Sequence, residues 1–219
     1  MIQRTVYDDE LARLRHDLLA MGALVEDNIR KALEALRSSN VELAKEVKRD
    51  DKAVNAMQTE LGDRVAMLIA TQQPVARELR ELVAILKAAD ELERIGDYAA
   101  HLAKAAKRLA EDPYPRSLER IEAMAAEGSA MLHDAMAAFL AGDQDKARAV
   151  AARDDAIDKE RKAFIKEVLL YIQEHPDRAE QATRLVATAG ELERLGDHVT
   201  NLCEAAVYVA TGEHVDLND

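Results

Sequence analysis

One polar segment of nine residues occurs twice in this chain, ending at Asp97 in the first copy and at Asp197 in the second. Residues 89–97 read Ala-Asp-Glu-Leu-Glu-Arg-Ile-Gly-Asp, and residues 189–197 read Ala-Gly-Glu-Leu-Glu-Arg-Leu-Gly-Asp. A charged segment repeated almost unchanged indicates that one structural unit has been duplicated. We therefore expect a fold made of two similar halves.

Both copies lie in helical patterns, because apolar residues recur around them at intervals of three and four positions. This apolar face comprises Leu92, Ile95, Ala99 and Leu102 in the first copy, and Leu192, Leu195, Val199 and Leu202 in the second. Beside the apolar face, each copy carries two acids four residues apart, Glu93 with Asp97 and Glu193 with Asp197. At about 100° per residue, the two acids of a pair share one side of the helix.

Each acidic pair is unfavourable by itself, since like charges four residues apart cost roughly 0.2–0.5 kcal/mol on an isolated helix. Gly96 and Gly196, within the same segments, each cost about 1 kcal/mol relative to Ala in a helix interior. The recurrence of both features indicates that the acids bind a cation and that the glycine lets another helix or a ligand come close. The alternative is that the acids are solvated and balanced by Arg94 and Arg194.

The composition is typical of a helical protein with a substantial core. Of the 219 residues, 48% are hydrophobic but only 3% are aromatic, with no Trp and four Pro. Such a chain is apolar enough to fold, and Ala, Leu, Glu, Arg and Lys favour long helices. The net charge of −12 opposes general nucleic-acid binding, which needs a basic surface, and opposes adhesion to anionic lipid by charge alone.

The sequence gives no support for export or membrane insertion. The single Cys203 cannot form an intrachain disulfide, and its neighbours suggest a small buried core residue rather than a nucleophile. The N-terminus lacks an apolar signal core, and no stretch of about 18 apolar residues occurs. We expect a cytoplasmic protein that contacts the membrane only through partners.

Apolar spacing and helix-ending residues predict six helical segments. The first three segments cover about residues 7–37, 41–71 and 75–111. The fourth runs from a cap at Ser117 to about residue 140, and the fifth runs from a break at residues 142–143 to about 174. The sixth runs from residues 176–177 to about 212. Ser39 with Glu42, and Asp177 with Glu180, have the spacing of helix-capping pairs.

The only place where two prolines fall close together is Asp112-Pro113-Tyr114-Pro115-Arg116. Proline disfavours helix at its own position and at the one before it, so this segment is the predicted domain boundary. The short connections make neighbouring helices antiparallel. We therefore predict an all-α protein of two tandem antiparallel three-helix bundles, at residues 1–112 and 117–219, related by internal duplication.

A second polar pair precedes each motif by one helix. Asp51 and Asn55 on the second segment correspond to Asp154 and Asp158 on the fifth. Antiparallel neighbours would bring each polar pair to the acids of the next helix. Grouped carboxylates repel one another unless a cation is bound, and oxygen donors suit Mg, Mn, Ca or oxidised Fe. The candidate metal ligands are Asp51, Asn55, Glu93, Asp97, Asp154, Asp158, Glu193 and Asp197.

The paired motifs, the Asp-x-x-x-Asn/Asp segments and the opening helix from Asp8 to Glu26 resemble the PhoU family of phosphate-signalling proteins. The resemblance covers essentially the whole chain. It implies a cytoplasmic accessory protein that links the ATPase subunit of the phosphate-specific ABC transporter to a membrane sensor histidine kinase. Such a protein keeps the phosphate-starvation response silent when phosphate is plentiful. The resemblance also favours a homodimer.

The resemblance further implies bound Fe, Mg or Mn, often as multinuclear clusters, at Glu/Asp-x-x-x-Asp motifs. These motifs map onto Glu93/Asp97, Glu193/Asp197 and Asp154/Asp158. Asn55 departs from the acidic pattern, so the first site has one negative charge fewer. We expect the first site to bind metal more weakly than the second.

Enzymatic readings find no support in the motifs. A di-iron helical-bundle oxidase needs Glu-x-x-His, and none of the six His has Glu three residues before it. No glycine-rich phosphate loop and no nucleophile–base arrangement is present. We therefore predict a regulatory adaptor and not an enzyme, in which metal shapes the surface that partners recognise. The alternative is a metal-free helical scaffold that acts through protein contacts alone.

Overall fold

A computed structural model describes residues 2–218 of the chain, with side chains from residue 6 onward. This part of the chain forms seven α-helices and one short 3-10 turn, and it contains no strand. The all-α prediction is therefore confirmed. The elements are α1 (Ile2–Ser38), α2 (Val41–Gln72), α3 (Arg77–Glu111), α4 (Glu119–Ala141), α5 (Gln144–Ala151), α6 (Asp154–Glu174), the 3-10 turn Pro176–Arg178, and α7 (Ala179–Thr211).

Helices α1, α2 and α3 pack together in the first half. Two ion pairs establish that α1 and α2 are antiparallel. Lys31, late in α1, lies 2.8 Å from Asp50 of α2, whereas Arg64, late in α2, pairs with Asp17 of α1. The polar residues of α2 consequently lie beside the middle of α3, where the first motif is found.

Two of the predicted helix caps are wrong. The cap of α2 is Asn40, whose Oδ1 accepts the backbone N–H groups of Glu42 and of the next residue, each at 3.1 Å. Ser39 instead takes a left-handed conformation with φ of +54° where the chain leaves α1. Asp177 makes no capping hydrogen bond, since α7 is preceded by a 3-10 turn that satisfies the first amides through backbone carbonyls.

The fifth predicted segment is two helices rather than one. The side chain of Asp143 caps α5, which ends at Ala151, and α6 starts at Asp154. The backbone N–H of Arg153 bonds to the carbonyl of Val150 at 3.0 Å. This three-residue step tightens the last turn of α5 and ends it, and a new helix follows.

The two halves pack through α3 and α7, which run antiparallel across the centre of the molecule. Nδ1 of His198 lies 2.6 Å from a carboxylate oxygen of Glu91, and Nδ1 of His101 lies 3.1 Å from one of Glu191. Helix α1 also packs on α4. One hydrophobic core runs through both halves, so the helices that carry the motifs are in direct contact at its centre.

The lone cysteine lies inside this core. Cys203 is fully buried, and burial raises the pKa of its thiol to about 12. The predicted role as a small core residue is confirmed. Among the helices of residues 2–218, none combines the length and the apolar character needed to cross a lipid bilayer.

Candidate metal centre

The motif helices bury their apolar faces and leave their acids at the edge of the core. All eight predicted apolar positions around the motifs are buried. The acids Glu93, Asp97, Glu193 and Asp197 are half-buried beside them. The helical phase read from the sequence is therefore correct, and it turns both acidic pairs toward the preceding helix.

The first cluster (Asp51, Asn55, Glu93 and Asp97) lies between α2 and α3. Burial, followed by the negative charge of Asp97, raises the pKa of both Asp51 and Glu93. Oδ1 of Asp51 is buried and has no hydrogen-bond partner in the described structure. Asn55 is exposed. The fold thus brings the three acids into mutual repulsion and leaves the amide at the rim.

The second cluster (Asp154, Asp158, Glu193 and Asp197) lies between α6 and α7. Burial raises the pKa of Asp154 to about 7, assisted by the charges of Asp197, Asp158 and Glu193. Burial is also the main cause of the raised pKa values of Glu193 and Asp197. Oδ1 of Asp154 is buried without a hydrogen-bond partner in the described structure. Asp154 therefore senses the charges of the other three predicted residues.

The motif glycines create the space for this arrangement. A Cβ atom added at Gly196 would overlap Oδ1 of Asp154 at well under the 3.0 Å that real Cβ contacts respect, and it would lie 3.1 Å from Ile157. At Gly96 the nearest atom would be Cγ1 of Val54, at 3.3 Å. The glycines do let the neighbouring helix come close, as predicted: Oδ1 of Asp154 fills the space at Gly196, whereas at Gly96 Val54 is nearest and Oδ1 of Asp51 lies 3.9 Å away.

Basic side chains occupy the second cluster, and the sequence reading missed them. Nζ of Lys162 lies 2.8 Å from Asp158, and Nη1 of Arg161 lies 3.6 Å from Glu193. In the first cluster, among the described residues, Glu93 has a 3.7 Å contact with the arginine that follows it, and the charge of His101 partly offsets the raised pKa of Asp51. The four-residue spacing of Asp158 and Lys162 could have revealed their pairing, whereas the contact of Arg161 depends on how α6 meets α7.

Each cluster carries carboxylate oxygens, the type of donor that a hard cation prefers. The carboxylates lie on two neighbouring helices, and a buried aspartate oxygen in each cluster lacks a hydrogen-bond partner in the described structure. Buried polar atoms are normally satisfied by a protein group, by ordered water or by an ion, so these two oxygens have the capacity to accept such a partner. Within residues 2–218, no group of three or more His, Cys, Asp or Glu is drawn close enough to hold a metal ion. The clusters are open acidic surfaces of suitable chemistry.

A polar contact between the halves adjoins both clusters and was not predicted. Glu91 accepts a hydrogen bond from the amide of Asn201 at 3.2 Å besides meeting His198. The hydroxyl of Tyr98 lies 3.4 Å from Nε2 of His198. These residues lie on the motif helices themselves, so the geometry of each cluster is tied to the way the halves pack.

A protein-family model described as the PhoU domain matches residues 18–106 and again residues 121–206 of this chain. The chain belongs to the PhoU family. One match falls in each predicted half, and together the matches contain all eight candidate ligands.

Full-length relatives carry the same family name. The Phosphate-specific transport system accessory protein PhoU homolog of Clostridium acetobutylicum is 36% identical over 99% of both chains. The homolog of Pseudomonas aeruginosa is 33% identical, over 95% of this chain and 87% of its own length.

Two solved PhoU structures have this fold. The crystal structure of PhoU from Pseudomonas aeruginosa superposes with a TM-score of 0.91 at 33% identity, covering 94% of this chain and 100% of that one. The phosphate transport system regulatory protein PhoU from Streptococcus pneumoniae superposes with a TM-score of 0.87 at 33% identity, covering 96% and 99% of the respective chains.

Proposed function

We propose that this PhoU-family chain is a cytoplasmic accessory of a phosphate-specific transport system that represses phosphate-starvation signalling. The observation that carries the proposal is identity above 30%, over nearly the full length, to proteins named as accessories of that system. Similarity that spans both halves and both motifs supports a shared role more strongly than a match to one domain. The partners proposed are the ATPase subunit of the transporter and a sensor histidine kinase, with the chain acting as a homodimer.

We further propose that the two clusters bind Fe, Mn or Mg, in mononuclear or multinuclear form. Asp51, Glu93 and Asp97 would hold metal in the first cluster, with Asn55 at its rim. Asp154, Asp158, Glu193 and Asp197 would hold it in the second. A bound cation would neutralise carboxylates that now repel one another and would tie α2 to α3 and α6 to α7. The surface presented to partners would then depend on metal occupancy.

Elemental analysis and a pull-down test the two proposals separately. Protein purified without chelators or an affinity tag should contain stoichiometric Fe, Mn or Mg, and a Glu93→Ala/Glu193→Ala variant should not. The wild-type chain should co-purify with the transporter ATPase, and deletion of its gene should switch on the starvation response in phosphate-rich medium. Unchanged partner affinity in a metal-free Asp97→Ala/Asp197→Ala variant would remove the link between metal and partner recognition.

A metal-free scaffold is the second candidate function. The ion pairs of Arg161 and Lys162 with the second cluster favour it, because they balance two of that cluster's acids without any metal. A scaffold of this kind would recruit partners through its helices alone. It predicts that chelators leave the melting temperature unchanged, whereas metal binding to the folded state predicts a decrease.

A further inference from the structure

We propose that the groove between α3 and α7 beside Glu91 and Glu204 is a docking site for an extended, basic and aliphatic peptide segment of a partner protein. In this structure the groove is occupied by residues 213–218 of the chain itself, called here the return segment. The return segment fits the groove in its backbone contacts but not in its charge. This inference requires neither the proposed metal binding nor the proposed role in phosphate transport.

The return segment leaves α7 through a left-handed turn and lies back along that helix. Gly212, with φ of +82°, ends α7, and its backbone N–H bonds to the carbonyl of Tyr208 at 2.8 Å. A glycine in this conformation commonly ends a helix. The ring of His214 stacks on that of Tyr208, with centroids 4.5 Å apart. The later contacts of the segment are with Glu204 and Asn201, so it runs antiparallel to α7.

Backbone and amide contacts hold the return segment in the groove. The backbone N–H of Leu217 donates to a carboxylate oxygen of Glu204 at 2.9 Å, and the side-chain amide of Asn218 donates to Oδ1 of Asn201 at 2.7 Å. Val215 and Leu217 are half-buried against the hydrophobic core. Hydrogen bonds to the main chain, with alternate side chains packed below, are a general way of recognising an extended peptide. The groove therefore has the features of a peptide site.

Both halves of the molecule contribute to the groove, and the return segment fills it incompletely. The amide of Asn201 also donates to Glu91 of α3 at 3.2 Å, and Nζ of Lys87 of α3 lies 5.6 Å from the centre of the Tyr208 ring. A cavity of about 200 Å³ remains between these side chains and the return segment. The four residues of the segment other than its two aliphatic ones are exposed. Few contacts therefore oppose its release.

The groove and the return segment carry charges of the same sign. Three carboxylates and one ammonium group line the groove, at Asp90, Glu91, Glu204 and Lys87. Arg80 lies at the end of α7, and the imidazoles of His198 and His214 are charged only when protonated. Carboxylates thus outnumber the permanent cations before the return segment is counted. Glu213 and Asp216 of that segment then add two further negative charges.

The repulsion acts on the carboxylate that holds the backbone of the return segment. Burial raises the pKa of Glu204, and the negative charges of Asp216 and Glu91 raise it further. The Leu217 N–H and the charge of Lys87 act in the opposite direction. Complementary charge favours the correct partner across an interface, and like charges disfavour the wrong one. A segment with Lys or Arg at the two acidic positions would keep the backbone contacts and replace repulsion by attraction.

Titration of a fluorescein-labelled synthetic peptide into the full-length chain tests the inference. The probe has the sequence of residues 211–218 with Glu213→Lys and Asp216→Lys, and the comparison peptide has the natural sequence. The acceptor carries Val215→Ser and Leu217→Ser, because the tethered return segment of the wild type competes with any free peptide. The basic peptide should saturate one site and bind about tenfold more tightly than the natural peptide, since each charge reversal contributes roughly threefold.

Matched variants separate charge from structure. Glu204→Gln in the acceptor keeps an oxygen that accepts the backbone N–H, and it should weaken binding of the basic peptide about threefold. Glu42→Gln removes an exposed charge at the start of α2 and should leave the affinity unchanged. Hydrogen exchange gives a measurement without any added peptide. In an otherwise wild-type chain, Asp216→Lys should raise the protection factor of the Leu217 amide about threefold.

Three results would overturn the inference. One is the absence of saturable binding of the basic peptide, and another is equal affinity for the two peptides. The third is tighter binding of the natural peptide, which would assign the groove to the return segment of a second copy of this chain.

Discussion

Replacing Gly196 by alanine should destabilise the second cluster despite improving the intrinsic helix propensity of α7. Alanine is favoured over glycine by about 1 kcal/mol in a helix interior. The added methyl group, however, would overlap Oδ1 of Asp154 and press on Ile157 at 3.1 Å. Overpacking of a filled site typically costs about 1–3 kcal/mol. We therefore expect a net loss near 1 kcal/mol, or a melting temperature lower by about 2–4 °C for a chain of this size.

Gly190→Ala is the matched control, because Gly190 lies on the same helix and a Cβ there would meet nothing within 4 Å. Gly190→Ala should gain the full advantage of about 1 kcal/mol that alanine has over glycine in a helix, and it should melt about 2–4 °C higher than the wild type. Calorimetric scans in the presence of EDTA compare the two variants without any contribution from metal. Mn²⁺ titration should then show that Gly196→Ala alone loses binding at the second cluster. If Gly196→Ala melted as high as Gly190→Ala, the proposed steric conflict with Asp154 would be refuted.

Three further predictions follow from the same structure. The pKa of Asp154 is raised from 3.8 to about 7, so between those pH values the folded metal-free protein keeps a proton that the unfolded chain has released, and its stability falls as pH rises. Asp154→Asn should make stability less dependent on pH and raise the melting temperature in EDTA at pH 8. If the wild type and Asp154→Asn showed the same dependence of melting temperature on pH, the raised pKa of Asp154 would be contradicted. Adding Mn²⁺ to metal-free wild type should raise the melting temperature with concentration, and a constant value across the titration would argue for the scaffold. Cys203 should resist a thiol reagent in the native state and react fully in denaturant, because its burial raises the thiol pKa to about 12, and rapid native labelling would show that the site opens.

The sequence predicted the helical framework well because the signals for it are local. Apolar spacing located the helices, and the glycine at 212 and the prolines at 113 and 115 marked their ends to within a few residues. The failures are also instructive. Ser39 and Asn40 both suit a helix N-terminus, and which one caps α2 depends on how the chain leaves α1. The break between α5 and α6 contains neither glycine nor proline, so the sequence has no helix-ending residue there from which the break could be predicted.

The repeated motif and the spacing of apolar residues can both be seen in the sequence. Together they were enough to predict which acids form the two clusters. The sequence alone determined that each half carries an acidic pair beside an apolar face, with a glycine between the acids. Only the tertiary structure decided what those acids face. The separation between Arg161 and Glu193 depends on how α6 and α7 pack, and the two residues are far apart in the chain. Charges compensate one another across helix contacts, so nearly identical motifs can form clusters with different charge environments.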